Sequence, residues 1–235
     1  MRVSGALARG TAPRNALPAR EKLREKAYRS FTSHLLAARI RPGQFVSQRE
    51  LVALTGLPLG AIRELVPRLE ADGLLETVPQ RGMQIANVDV KLIRNAFQLR
   101  LILEREAATR FAETAPDALI RELADAHEAI LRRLRKGGIS RKLLEDAQRV
   151  DWHLHDTIID ALENEIISSI YRVNSIKIRL IRLQRVLLTP ALLSPAMEEH
   201  LELIAAFRRR DPKRAVRAIE HHLRHARGRA LGMLD

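Results

Sequence analysis

Seven of the eight histidines in this 235-residue chain lie beyond residue 120. In Asp151-Trp-His-Leu-His155 an aspartate and a histidine stand at i and i+4. On a helix that spacing puts both on one face, so one element can offer a carboxylate and an imidazole to the same ion. His200 and His222 fall on two later helical segments, and the short stretch ending at Asp211-Pro212 makes those segments antiparallel neighbours. Three imidazoles and one carboxylate suit Zn, Ni, Mn or Fe and do not suit Ca or Mg. Unconnected core or surface histidines fit the same spacing, because His153, His221 and His225 show that histidine is scattered through this region. A hydrolytic reading uses the same groups, with metal-bound water as nucleophile and Glu199 as a base beside His200. There is no cysteine, which excludes a disulfide framework, a thiolate site and a cysteine nucleophile.

These side chains need helices to carry them, and the pattern after residue 88 is almost wholly helical. Ile93, Phe97, Leu101, Ala108 and Phe111 mark one long amphipathic helix. Further helices are expected over Pro116–Lys136, Ser140–Leu162 and Glu163–Leu188. A fifth starts with Ser194 as cap and Pro195 at its first position, and a sixth with Asp211 and Pro212 in those roles. About six helices without a sustained heptad predict a bundle, not a coiled coil. Trp152 is assigned to packing.

The chain before residue 88 is differently built. Arg20–Ala38 has apolar residues near 3.6 spacing. Ser47-Gln-Arg-Glu50 has the form of a capping box, and Gly56 suits the end of the helix it starts. Pro58 suits the first position of another helix, which runs to about Asp72 and contains Pro67, a residue expected to kink or interrupt it. Leu74–Val78 and Met83–Val88 read as strands around the turn Pro79–Gly82. Helix, capped helix, turn, helix and hairpin predict a winged helix-turn-helix, with the second helix of the pair in the DNA major groove and Arg81-Gly82 at the wing tip.

Charge agrees with that reading. The chain carries a net +13, and residues 1–85 hold 14 Lys/Arg against 7 Asp/Glu. Such a surplus suits a polyanionic partner. Aromatic residues make up 3%, which argues against base-stacking platforms for single strands. The longest uncharged runs, Leu51–Ile62 and Val186–Met197, have 12 residues, short of the roughly 20 needed to span a bilayer. The first residues hold four arginines, no acid and no apolar stretch, so they read as a basic disordered tail over 1–19, not a secretory signal. A cytoplasmic location is the expectation.

The run Ile40-Arg-Pro-Gly-Gln-Phe-Val-Ser-Gln-Arg-Glu-Leu51, with Ala61-Ile-Arg-Glu-Leu65, Leu69-Glu-Ala-Asp-Gly-Leu-Leu75 and Arg81-Gly82, resembles the DNA-binding domain of GntR-type bacterial repressors. Arg100-Leu-Ile-Leu-Glu104, Asp151-x-x-x-His155, Glu199-His200 and His222-Leu223 resemble the metal-containing ligand-binding domain, FCD, of the FadR branch. The resemblance covers about residues 20–228. It implies that Asp151, His155, His200 and His222 bind one divalent metal, most simply Zn with Ni, Mn or Fe as alternatives. His222 is preferred over His221 because the family places a single His just before Leu. It also implies DNA contacts by Arg49, Arg63 and the wing around Arg81 and Gly82. One departure is plain. The family opens its recognition helix with a Ser-Arg-Thr-Pro-like run, and this chain has Pro58-Leu59-Gly60-Ala61. Leu59 replaces the Arg that would read a base, and with Gly60 beside it the hydroxyl donors of that run are gone, which predicts a changed or relaxed operator, with Leu59 able to touch a thymine methyl.

The sequence therefore predicts a mainly α protein: a winged helix-turn-helix over 20–88 and an all-helical metal and effector unit over 89–235. The expected function is a transcriptional regulator, a repressor by family expectation, acting as a homodimer on double-stranded operator DNA. A small organic acid would bind the metal, with Arg100, Arg179 and Arg182 as candidate clamps for its other end. A metal-dependent hydrolase and an effector-independent DNA-binding protein are the alternatives.

Overall fold

The computed structural model describes residues 19–137, 139–185 and 190–233. In chain order the elements are α1 (Ala19–Leu36), β1 (Phe45–Val46), α2 (Gln48–Thr55), α3 (Leu59–Ala71), β2 (Leu75–Val78), β3 (Gly82–Ile85), α4 (Val90–Thr114), α5 (Asp117–Gly137), α6 (Arg141–Asp160), α7 (Glu165–Arg185), α8 (Pro190–Arg208) and α9 (Pro212–Leu231). The fold is a winged helix-turn-helix followed by a helical bundle. Residues 1–18 of the tail expected over 1–19, Gly138 and the expected end of the fourth bundle helix at 186–188 lie outside the described residues, and Ala19, assigned to that tail, is instead the first residue of α1. No described helix is long and apolar enough to cross a membrane.

Local chemistry accounts for most element ends. Ser47 caps α2: its hydroxyl accepts from the Glu50 amide at 3.2 Å, and Glu50 accepts from the Ser47 amide at 2.6 Å. Gly56 ends α2 in the left-handed region at φ 67°, donating its amide to Val52. Asp89, Ser140 and Asp211 cap α4, α6 and α9 with side-chain oxygens. Three expectations need correction. Pro58 is the cap of α3 and not its first residue: its ψ of 150° is extended, and it offers no side-chain acceptor. Ser194 and Pro195 do not begin a helix, because α8 already starts at Pro190 and Pro195 lies inside it. Pro67 does not interrupt α3. The amide bond it forgoes, to Arg63, falls on the exposed face, while buried Ile62, Leu65, Val66 and Leu69 hold the helix on both sides.

The sheet has the order β1-β3-β2, antiparallel throughout, with Phe45 opposite Gln84 and Leu75 opposite Ile85. At the wing, Gly82 has φ 97°, and a Cβ there would lie 3.3 Å from the Val46 carbonyl oxygen, so the turn needs glycine. One apolar core joins α1, α2, α3 and the sheet to Ile93, Ala96 and Phe97 of α4, Ile178 and Ile181 of α7 and Ala230 of α9. A second core fills the bundle around Phe111, Leu154, Ile158, Phe207 and Ile219. The winged elements thus rest directly on the helices that carry the polar cluster described next.

Candidate metal centre and effector cavity

Asp151 and His155 of α6, His200 of α8 and His222 of α9 are all buried, and one ligand atom from each lies within 4.8 Å of the others. Their hydrogen bonds fix which ring nitrogens face inward. His127 of α5 donates from Nδ1 to the Leu123 carbonyl at 2.7 Å, so in the neutral ring Nε2 is an acceptor. That acceptor takes the Nδ1–H of His200 at 3.2 Å, which leaves His200 Nε2 a bare lone pair. His222 donates from Nδ1 to Glu199 at 2.8 Å, and His155 donates from Nδ1 to Glu104 at 2.8 Å. Their Nε2 atoms are bare in turn, and His155 Nε2 is buried with no hydrogen-bond partner. His200 Nε2 and His222 Nε2 are 3.2 Å apart, and Asp151 Oδ1 is 3.6 Å from His200 Nε2.

A proton between the two nitrogens would have to come from one of the outward bonds or charge a ring. Burial opposes a charge: it pushes the His222 imidazole down to about 4 and His200 well below its usual value, and the neighbouring imidazoles push the same way for His200. Burial alone would raise the Asp151 carboxyl, but Arg182, then His155, Arg100 and His222 outweigh it and hold it ionised. Three convergent lone pairs and one carboxylate, each braced from outside, fit a divalent transition ion. The cluster could hold a metal.

Glu104 is the most connected brace. It is fully buried on α4 and accepts from Arg100 Nε at 2.5 Å, Tyr171 Oη at 2.7 Å and His155 Nδ1. Burial raises its carboxyl, yet Arg100 and His155 bring it down to about 2. The sequence marked Glu104 only within the Arg100–Glu104 motif. His127 carried no sequence signal beyond being a polar residue among apolar ones on the buried face of α5.

A small cavity of about 30 Å³ adjoins the cluster, lined by Arg100, Asp151, Arg182 and His222 with Phe97 and Met197 among its apolar walls. Arg182 is ion-paired to Asp151 Oδ2, so it already touches the cluster. Arg179 is placed elsewhere: its guanidinium stacks 3.9 Å from the Trp152 ring, lies 3.8 Å from Asp156 and does not line this cavity. Trp152 is half-buried beneath it. His153 and His221 are exposed and outside the cluster. In the winged part, Arg49, Leu59, Gly60, Arg63, Arg81 and Gly82 are all exposed. The Arg81 guanidinium rests 4.3 Å over the Phe45 ring, a stacking partner the sequence did not suggest.

A winged helix-turn-helix on a helical bundle with a buried His/Asp cluster defines a class of DNA-associated regulator. Residues 95–225, more than half of the chain, match the model of the FCD domain. The chain belongs to the GntR family of transcriptional regulators, in its FCD-containing, FadR-type branch. It is 23% identical over 213 residues, 86% of each chain, to the "HTH-type transcriptional repressor RspR" of Escherichia coli. Its fold is similar to that of E. coli McbR/YncC, with a TM-score of 0.71 at 17% identity over 91% of this chain and 99% of that one. A GntR regulator from Rhodococcus sp. RHA1 gives the same score and identity over 92% and 100%. The relatives are named as regulators, which sets the hydrolase alternative aside.

Proposed function

We propose that this regulator is a homodimeric, cytoplasmic repressor whose hold on double-stranded operator DNA is set by a small organic acid bound at a metal in the bundle. The reading divides the chain near residue 88, with the winged unit over 20–88 on DNA and residues 89–235 as the sensing unit. Asp151, His155, His200 and His222 would hold the ion, and Zn suits this donor set best, with Ni, Mn or Fe also compatible. A bound ion supplies a Lewis-acidic anchor for a carboxylate. Arg100 and Arg182 line the adjoining cavity and supply the positive clamp for the rest of the acid; Arg179 would act only through Trp152 and Asp156. On DNA, Arg49 and Arg63 would meet phosphates or base edges. Arg81 would approach the backbone once it leaves Phe45, with Gly82 keeping the wing turn tight, and Leu59 and Gly60 would give this chain its own operator preference.

The observation that carries the proposal is the convergence of three buried imidazoles and Asp151, with His155 Nε2 lacking any hydrogen-bond partner, beside a cavity lined by two arginines. The route to the DNA is short. Arg182 binds Asp151 on one turn of α7, and the adjacent Ile181 lies in the core that holds the winged elements. An acid that competes for Arg182 would bias the seating of α7 and so the population competent for DNA. The test is operator affinity with and without a panel of small di- and hydroxy-acids, on metal-loaded and metal-stripped protein. An acid effect that requires the metal supports the proposal; an equal effect on stripped protein refutes it.

A further inference from the structure

We infer that the chain has a second, outer site for a divalent transition ion, formed by Glu199, His221 and His225. His221 and His225 stand at i and i+4 on α9, with ring centroids 4.0 Å apart. That spacing presents two imidazoles on one face of a helix. Glu199 of α8 faces them: its Oε1 accepts from His225 Nδ1 at 2.7 Å, and one ligand atom from each of the three residues lies within 4.8 Å of the others. His221 is exposed and His225 half-buried, so ions reach the site from solvent. Arg229 Nη1 also forms an ion pair with Glu199 Oε1 at 3.6 Å, so an entering ion shares this carboxylate with a guanidinium that must swing aside. To ligate through Nδ1, His225 gives that proton to water and takes one on Nε2, so the ring stays neutral. Two imidazoles and a carboxylate, with coordination completed by water, suit Zn(II), Ni(II) or Cu(II).

Glu199 also joins this site to the inner cluster. Its other oxygen, Oε2, accepts from His222 Nδ1 at 2.8 Å, and Glu199 is buried, so one carboxylate would brace an inner nitrogen and ligate an outer ion. An outer ion draws charge from that carboxylate and loosens its grip on His222. Filling the outer site therefore weakens the inner one.

The experiment titrates metal-stripped, full-length protein with Zn2+ in competition with a chromophoric chelator. The wild type is expected to take two ions per chain, with affinities separated by on the order of tenfold or more because the outer site is partly open to water. His221→Ala with His225→Ala should remove the weaker ion, lower the metal-free melt by no more than the loss of the His225–Glu199 hydrogen bond, and hold the tighter ion at least as firmly. His200→Ala should remove the tighter ion and keep the weaker. A wild type that binds one ion lost in His200→Ala, or a double variant that still binds two, overturns the inference. A wild type whose one ion survives His200→Ala and vanishes in the double variant would keep the outer site and refute the inner one, so the two assignments fail separately.

Discussion

Glu104→Gln separates bracing of the metal centre from packing of the bundle. The change is isosteric, so the cost comes from charge and hydrogen bonding. Glu104 accepts from three buried donors, Arg100, Tyr171 and His155. An amide keeps one oxygen and turns an NH2 group toward donors that need an acceptor. Arg100 is left buried without its carboxylate, a loss that costs about 3–5 kcal/mol. In a chain of this size that corresponds to a fall in Tm of about 6–20 °C, at roughly 2–4 °C per kcal/mol. The second effect is on the ion. Without the carboxylate, the Nδ1–H of His155 is held less firmly and Nε2 is less basic, which should lower metal affinity about 10–100-fold, or about 1.4–2.8 kcal/mol. The assays are a thermal melt in excess chelator for the first effect and chelator competition for the second. Tyr171→Phe is the control: it removes one donor, spares the Arg100 ion pair and the His155 hydrogen bond, and should cost on the order of 1 kcal/mol with metal affinity unchanged. If Glu104→Gln melts early yet binds metal within twofold of wild type, Glu104 is a packing residue and the inward orientation of His155 does not depend on it.

Other outcomes follow from the same geometry. Asp151→Ala or His200→Ala should abolish stoichiometric metal in the tight site, and retention of tightly bound metal in both by elemental analysis and competition would remove the ligand assignment. Arg63→Ala should weaken binding to all DNA and reduce the slope of log K against log salt by about one unit; an unchanged slope would mean that α3 docks differently. Ser47→Ala should cost about 0.5–2 kcal/mol by opening the cap of α2, read as a lower Tm with metal content unchanged.

The parts legible in the sequence were those set by local chemistry. Ser47-x-x-Glu50, Gly56 and Asp211 each act on backbone groups within a few residues, and the structure puts helix ends at all three. Asp151 and His155 share a helix, so their common face followed from spacing alone. Long-range features were less visible. β1 has two residues, too few for alternation, and exists because β3 supplies its partner. Pro195 looks like a helix start and sits inside α8, because a proline early in a helix lacks only a bond near the helix start and its exposed face is open to water. His127 and Tyr171 brace groups 73 and 67 residues away in sequence, a pairing that only the packing of α5 on α8 and of α4 on α7 creates. Arg179 and Arg182 are three apart on α7, yet one stacks on Trp152 and the other reaches Asp151.

The most direct test of the central claim is binding of the purified protein to the DNA flanking its own gene, over a salt series and against excess unrelated DNA. A regulator of this kind gives a discrete complex that survives competitor, with salt dependence from phosphate contacts and a defined protected site. No complex at low salt, or one that competitor removes entirely at every position tested, would contradict the account and leave the metal centre as the place to look for what this protein does.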